Sequence, residues 1–391
     1  MNIALIAPFL SSSMGGMSSY IAELVPRLCD AGQQVSVISS DCGYQGAPCG
    51  QLVTIDKRAE LQVFPVRGAV DRRFYRSPDM WRWLEHAVDR FDIVDIQGVW
   101  TWMTRTAARA CINKRVPYVI TPHGTMSEWD WSKRRLSKLI FFTALLREAW
   151  QSAAAIRYLS RGEFESSVIQ PRANATIIPN AVSLASAGHS GTREAALQVK
   201  TRLGIPSEAP IVLFLGRVTD QKGVIETLHA FEVVHATCPD AFLVLAGPLE
   251  GEYGQSVRHL AAKLLSRHCI RLVGPIYGDE KIALMTSATV FVTLSKHEGL
   301  PLAVLEALSY GTPSVVTPES NIPELGDCDA GIVSEIQPAN VAIAILRIIT
   351  DNERRDRMAN NAVRFVQRQF SWQRVLPQLI RFYEAAAASA A

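Results

Sequence analysis

The chain lacks any apolar run approaching the ~20 residues that span a bilayer. The stretch 139–146, the longest outside the short strand-like segments, ends at Arg147. No secretory leader is expected, because Met1-Asn2-Ile3-Ala4-Leu5-Ile6-Ala7-Pro8 has no positive flank and too short an apolar centre. These readings point to a cytoplasmic protein. No Cys-x-x-Cys pair occurs among the cysteines at 29, 42, 49, 111, 238, 269 and 328, whose odd number and scatter fit a reduced compartment rather than a disulfide framework. His-Glu-x-x-His is missing and the histidines show no metal-ligand spacing, so no metal is expected. G-x-G-x-x-G and the Walker pattern are also absent. A net charge of +3 over 391 residues gives no support to a nucleic-acid partner.

What the chain does have is length, and 391 residues exceed one ordinary core, so two domains are expected. Short apolar runs at 3–7, 35–39, 93–97, 118–121, 211–215, 242–246, 290–294 and 314–317 alternate with helical patterns. Near-continuous apolar strands between helices imply parallel sheets covered on both faces, and the rhythm occurs twice. The polar stretch 183–195, with Gly188, Ser190, Gly191 and Thr192, reads as the linker. After residue 371 a last helical pattern carries Val375, Leu376, Leu379, Ile380 and Tyr383 on one stripe that must dock on something. The expected division is therefore 1–185, 186–370 and a C-terminal helix in 371–391.

In open parallel sheets ligands bind beyond the carboxyl ends of strands, and the unusual residues follow the strand-like runs. In Glu298-Gly-Leu-Pro-Leu-Ala-Val-Leu-Glu306, Pro301 suits the first turn of a helix, which puts Glu298 in the preceding loop and Glu306 inside. A helix start at a strand end favours an anion, and carboxylates bind polyols by accepting paired hydroxyl hydrogen bonds. In Gly216-Arg217-Val-Thr-Asp-Gln-Lys222-Gly223, a guanidinium and an ammonium share one post-strand loop, a phosphate-binding combination. Gly15-Gly16 after the first strand allows a close backbone approach, and Thr121-Pro-His123-Gly124 fixes one histidine at a strand end, able to donate to a hydroxyl or carry a proton. The run Ser132-Lys-Arg-Arg-Leu-Ser-Lys138-Leu-Ile-Phe-Phe142, near Trp129 and Trp131, reads as a basic amphipathic helix able to lie on an anionic membrane. Arg72, Arg73 and Arg76 near Trp81 and Trp83 lean the same way.

Together these constellations resemble the retaining glycosyltransferases of family 4. The likeness rests on Gly15-Gly16, Thr121-Pro-His123-Gly, Ile178-Pro-Asn180-Ala-Val, Gly216-Arg217 with Lys222-Gly223, Leu245-Ala-Gly247, Val273-Gly274, and Glu298-x7-Glu306 followed by Ala307-Leu-Ser-Tyr-Gly311-Thr-Pro313. The resemblance implies an α/β GT-B fold, two facing Rossmann-like domains with parallel sheets and an interdomain cleft, the last helix packing back on the N-terminal domain. It implies Arg217, Lys222, Glu298 and His123 as catalytic residues. Gly15, Gly16, Arg217, Lys222, Gly274, Pro275, Glu298, Gly299, Leu300, Leu302 and Glu306 would hold the donor, with His123 and Gly124 on the acceptor side. Within that set, Arg217 and Lys222 would grip the diphosphate, Glu306 the ribose and Glu298 the sugar hydroxyls. The implied reaction moves a hexose-type sugar from a UDP- or GDP-linked donor to a glycan or lipid-linked acceptor, without cofactor or metal, in cell-surface polysaccharide synthesis. An anionic membrane surface meeting 132–147 would place the protein on the inner membrane face. Pro301 departs from the family pattern, standing where many members carry glycine, and Gly247-Pro248 lacks a further glycine. Rival readings are a nucleotide-sugar epimerase or a non-catalytic sugar-nucleotide-binding protein.

Overall fold

The computed structural model describes residues 1–11, 16–43, 52–171, 174–184 and 190–389. The first sheet contains β1 (Asn2–Ile6), β2 (Gln34–Ser40), β3 (Glu60–Phe64), β4 (Ile93–Gln97), β5 (Tyr118–Thr121), β6 (Ala155–Tyr158) and β7 (Asn174–Ile177), in the order β3-β2-β1-β4-β5-β6-β7. The second contains β8 (Ile211–Leu215), β9 (Phe242–Ala246), β10 (Ile270–Gly274), β11 (Val290–Thr293), β12 (Ser314–Val316) and β13 (Gly331–Val333), in the order β10-β9-β8-β11-β12-β13. Every pairing between these named strands is parallel. The central strands are buried on both faces, as in Ile3 to Ile6 and Ile211 to Phe214, which is why they read as unbroken apolar runs. Each sheet is doubly wound, and its strand order reverses once, beside β1 and β4 in the first sheet and beside β8 and β11 in the second.

The chain divides into two compact units, Met1–Ala181 with Gln373–Ala391, and Val182–Trp372. The polar stretch expected to be linker is partly helix, since the helix Ser190–Arg202 begins within it. Polar residues with no apolar stripe look like linker, yet this helix ends in basic Lys200 and Arg202, which suit its negative end.

In the first unit a polar network is buried under the last helix, Trp372–Ala388. The Tyr383 hydroxyl donates to Asp95 Oδ2 at 2.6 Å, and Thr121 Oγ1 donates to Asp95 Oδ1 at 3.3 Å. Arg157 on β6 is also fully buried. Its Nε donates to the Ile178 carbonyl at 3.0 Å, and its terminal nitrogen to the Pro179 carbonyl and Asn180 Oδ1 at 2.8 and 2.9 Å. The Ile178-Pro-Asn180 run therefore grips a buried cation. Burial pushes the Asp95 carboxyl up, against the pull of Arg157 and of the Tyr383 and Thr121 hydroxyls.

Tyr383→Phe deletes one hydrogen bond to a buried carboxyl without changing shape. The expected cost is ~2 kcal/mol, read as a fall of several degrees in the melting temperature of the first unit, while Tyr253→Phe, in the second unit, should leave that transition alone. An unchanged transition in Tyr383→Phe would show that the hydroxyl does not anchor the helix.

Candidate active site

In the second unit the loops after β8 and β11 sit side by side because those strands pair, Val290 with Val212 and Phe291 with Leu213. The β8 loop ends in a short helical turn, Asp220–Lys222, stopped by Gly223 at φ 63°. A side chain there would put a Cβ 2.2 Å from the Leu294 carbonyl oxygen, so only glycine lets the two loops touch. Contact is completed by Lys296 N donating to the Gln221 carbonyl and Gln221 Nε2 donating to the His297 carbonyl, both at 2.8 Å.

This zipper delivers Lys222 Nζ onto Glu298 Oε1 as an ion pair. The side chains are 18% and 11% exposed, so water screens the pair weakly. Ser295 Oγ donates to the same carboxylate oxygen at 2.7 Å. Burial alone would raise the Glu298 carboxyl, but the charge and hydrogen bond of Lys222, the Ser295 hydroxyl and the charge of Arg217 outweigh it and hold it below its ordinary range. Arg217, Lys222 and Glu298 thus form one electrostatic cluster. Glu298 N donates to the Glu319 carbonyl at 3.0 Å and Asn321 Nδ2 donates to the Glu298 carbonyl, so the loop after β12 supports the same residue.

Gly299 and the largely buried Leu300 lead to Pro301, which adopts φ −81° and ψ 94° and caps the helix Leu302–Ser309. Pro301 therefore stands just before the helix and not in its first turn, and its carbonyl accepts from Val304 N at 3.0 Å. The N-H it lacks is outside the helix, and in an α-helix the first backbone donors have no i−4 carbonyl to meet. Glu306 lies inside this helix, partly buried, and Lys281 Nζ donates to its Oε1 at 2.8 Å. Lys281, on the helix Gly278–Ser287, is a site residue that spacing could not reveal. Gly274 ends β10 and its carbonyl accepts from Gly247 N at 2.7 Å, with Pro275 exposed beyond it. Gly247 passes so close to Gly216 that a Cβ would fall 1.8 Å from the Gly216 carbonyl oxygen. One Asp-x-Asp run, Asp327-Cys328-Asp329, bears on the expectation of no metal, but Asp329 faces Arg357 at 3.5 Å and Asp327 is exposed.

In the first unit Gly16 opens the helix Gly16–Asp30 at φ 48°, and Gly15 lies outside the described residues. His123 follows β5 in the left-handed region at φ 54°, an uncommon conformation for a side-chain-bearing residue, with Gly124 at φ 78°. Its Nε2 meets Gln97 Oε1 at 2.7 Å. Burial and the Arg157 charge push the imidazole down to about 3, so at neutral pH the ring is uncharged. With Nε2–H donating to Gln97, Nδ1 offers a lone pair. Of the two roles expected for His123, hydrogen bonding to a hydroxyl is the one that a neutral ring suits.

The His123–Gly124 turn is held by Glu163, a buried residue that sequence reasoning missed. Its carboxylate accepts from Gly124 N and, at 2.6 Å, from Leu159 N, joining the ends of β5 and β6. Burial pushes this carboxyl up to about 7, against those hydrogen bonds and Arg157. The folded chain then keeps a proton that the unfolded chain releases near pH 4.5. The associated stability, on the order of 3 kcal/mol, is present below that pH and is lost as pH rises through about 7. Glu163→Gln should flatten the fall in stability of the first unit across this window in denaturant titrations. Parallel curves for variant and wild type would rule out Glu163 as the titrating group.

The profile for Glycosyltransferase Family 4 matches residues 14–186, and that for Glycosyl transferases group 1 matches residues 198–365. An uncharacterized glycosyltransferase of Methanocaldococcus jannaschii is 27% identical over 385 residues, 95% of each chain. The alpha-maltose-1-phosphate synthase of Mycolicibacterium smegmatis is 25% identical over 403 residues, 96% of each chain. Anabaena HepE, solved in complex with UDP-glucose, has the same fold with a TM-score of 0.75 at 16% identity, over 98% of this chain and 100% of that one. With both profiles spanning nearly the whole chain and two doubly wound sheets to match, this protein belongs to the family 4 glycosyltransferases of the two-domain, Rossmann-like GT-B fold.

Proposed function

We propose that this glycosyltransferase moves a hexose from a nucleoside diphosphate sugar to a hydroxyl of a glycan or lipid-linked acceptor, with retention at the anomeric carbon, in cell-surface polysaccharide synthesis. The observation that carries the proposal is the Lys222–Glu298 pair, with Arg217 acting on it, at the strand-order reversal of the second unit. The cations suit a diphosphate, and the carboxylates Glu298 and Glu306 suit sugar and ribose hydroxyls. The bond from the anomeric carbon to the β-phosphate oxygen breaks while the acceptor oxygen attacks from the same face, and the acceptor proton passes to that departing phosphate oxygen. Lys222 and Arg217 stabilise the leaving diphosphate, the work a metal does elsewhere. Neutral His123, through Nδ1, and the Gly124 backbone are proposed to contact the acceptor, with Gly15 and Gly16 approaching the phosphates and Gly274, Pro275, Gly299, Leu300 and Leu302 shaping the donor site. Because Anabaena HepE was solved with UDP-glucose, a UDP-linked hexose is the first donor to test and a GDP-linked one the second.

A thermal-shift panel of UDP, GDP, ADP and dTDP sugars should single out one nucleotide, since a ligand at 100 times its dissociation constant adds ~2.7 kcal/mol of stability. With that donor, Lys222→Ala should lower turnover on the order of 100-fold or more. A near-normal rate would remove Lys222 from the chemistry, and donor conversion without any acceptor would favour an epimerase.

The same proposal places the enzyme on an anionic membrane surface at the cytoplasmic face. Residues 132–147 are not one helix but a succession of Arg135–Phe141, a wider turn Phe142–Leu146, and Arg147–Gln151. Leu136, Leu139 and Ile140 are 71%, 47% and 59% exposed beside exposed Lys133, Arg134 and Arg135. Lys138 is instead paired with Asp130, and Trp83 packs against Phe64 and Phe91, so these two do not contribute to the surface. Among the described residues no helix is long and apolar enough to cross a membrane. Liposomes containing anionic lipid should sediment the wild type at low salt and release Leu136→Ser/Ile140→Ser; equal sedimentation of the two proteins would refute this surface.

A further inference from the structure

The second unit carries a group of side chains that the transfer reaction does not use. One ring nitrogen each from His235 and His268, and the Cys269 sulfur, lie within 4.8 Å of one another. His235 is in the last turn of the helix Val224–Thr237, and His268 and Cys269 end the short turn Leu265–Cys269 that leads into β10. Helices run antiparallel to the strands they cover, so the group sits at the amino-terminal edge of the sheet, the edge away from Lys222 and Glu298. The helix spans 14 residues, about 20 Å.

The group is built and not incidental. Glu232, one turn before His235, accepts from Leu265 N at 2.9 Å, from Ser266 N at 3.2 Å and from Ser266 Oγ at 2.5 Å, fixing the turn that carries His268 and Cys269 against the helix. The two rings meet edge to face with centroids 5.2 Å apart. His235 Nδ1 is buried and has no hydrogen-bond partner among the described residues, a polar atom left waiting for one. Cys269 is buried, and its sulfur makes a long contact of 3.8 Å to the Pro239 carbonyl. Two imidazoles and a thiol are the donor set of a borderline-soft divalent cation, with ligand bonds of about 2.0 to 2.3 Å. Small side-chain rotations would draw the three atoms onto one ion.

We propose that His235, His268 and Cys269 form a binding site for a thiophilic divalent cation of the Zn²⁺ class, with water in the fourth tetrahedral position. Binding replaces the Cys269 S–H proton by the metal and releases that proton to solvent. The Glu232 carboxylate supplies nearby negative charge and holds the turn in place. Sequence spacing hid the set because its members come from two elements 33 residues apart.

The test is a Zn²⁺ titration of chelator-treated protein against a colorimetric zinc indicator, with Co²⁺ as the spectroscopic probe. One equivalent should bind, and Co²⁺ should show thiolate charge-transfer and tetrahedral visible bands. His268→Gln, at an exposed position and so without consequence for folding, and Cys269→Ser should each weaken Zn²⁺ binding at least 10-fold. Cys269→Ser should abolish the charge-transfer band, and Cys238→Ser should change nothing. The proposal is overturned by the absence of saturable one-equivalent binding, or by binding that survives both site variants or is lost in Cys238→Ser.

Discussion

The pairing of Lys222 with Glu298 constrains most of what surrounds it. A partly buried ammonium and carboxylate must meet with good geometry or leave an uncompensated charge, which costs several kcal/mol. Meeting requires β8 and β11 to be neighbours, and the doubly wound strand order makes them so. It also requires glycine at 223, because the Leu294 backbone occupies the space a side chain would need. The β12 loop is drawn in as well: Thr317 Oγ1 donates to the Ser295 carbonyl while Ser295 donates to Glu298. Fold, turn chemistry and site are one arrangement in this unit.

That arrangement has a consequence for donor binding. Lys222 is paired with Glu298, Lys281 with Glu306, and Lys296 with Asp220 and Glu226. The site is therefore close to internally neutral, which keeps its partly buried charges compensated. In the proposed reaction a diphosphate would compete with Glu298 for Lys222, and the carboxylate so released would be free to accept hydroxyl hydrogen bonds from the sugar on the same molecule. Against its burial, Lys222, Ser295 and Arg217 hold the Glu298 carboxyl below its ordinary range, as an acceptor. A ligand carrying phosphate without polyol, or polyol without phosphate, would satisfy only half of this exchange.

The sequence made the interior strands legible, and the edges and the partners were harder to see. The eight apolar runs lie within a residue of β1, β2, β4, β5, β8, β9, β11 and β12, because strands covered on both faces must be apolar throughout. Strands β3 and β7 are at the sheet edge and half exposed, so Glu60-Leu-Gln-Val-Phe64 and Asn174-Ala-Thr-Ile177 carry no such run. Strand β6 hides behind Arg157 and β10 behind Arg271, cations whose chemistry reads as surface until backbone carbonyls are seen to satisfy them. In the site, Arg217, Lys222 and Glu298 were legible by position after strands. Lys281, Glu163 and Arg157 were not, since a long-range partner leaves no local spacing. Trp83 misled for the same reason, its amphipathic look dissolving once Phe64 and Phe91 close around it.

The two sheets share a strand order but manage polarity differently at their strand ends. In the second unit the paired charges sit in loops and on helices and are partly accessible. In the first unit Asp95, Arg157, Glu163 and Tyr383 are buried. Enclosed polar and ionisable groups of this kind contribute little net stability compared with apolar packing, so their use lies in what they fix. Buried polar groups fix backbone or ring position near one turn: Glu163 holds Gly124, Gln97 holds His123, and Arg157 holds Ile178 to Asn180, while burial and then the Arg157 charge keep His123 neutral. A residue in the left-handed region persists only when its neighbours over-determine it, and His123 has three such neighbours. The first unit thus invests its polar interior in presenting one uncharged imidazole and one glycine backbone rigidly. The second keeps its ionic groups partly accessible, as the proposed exchange with a charged donor requires.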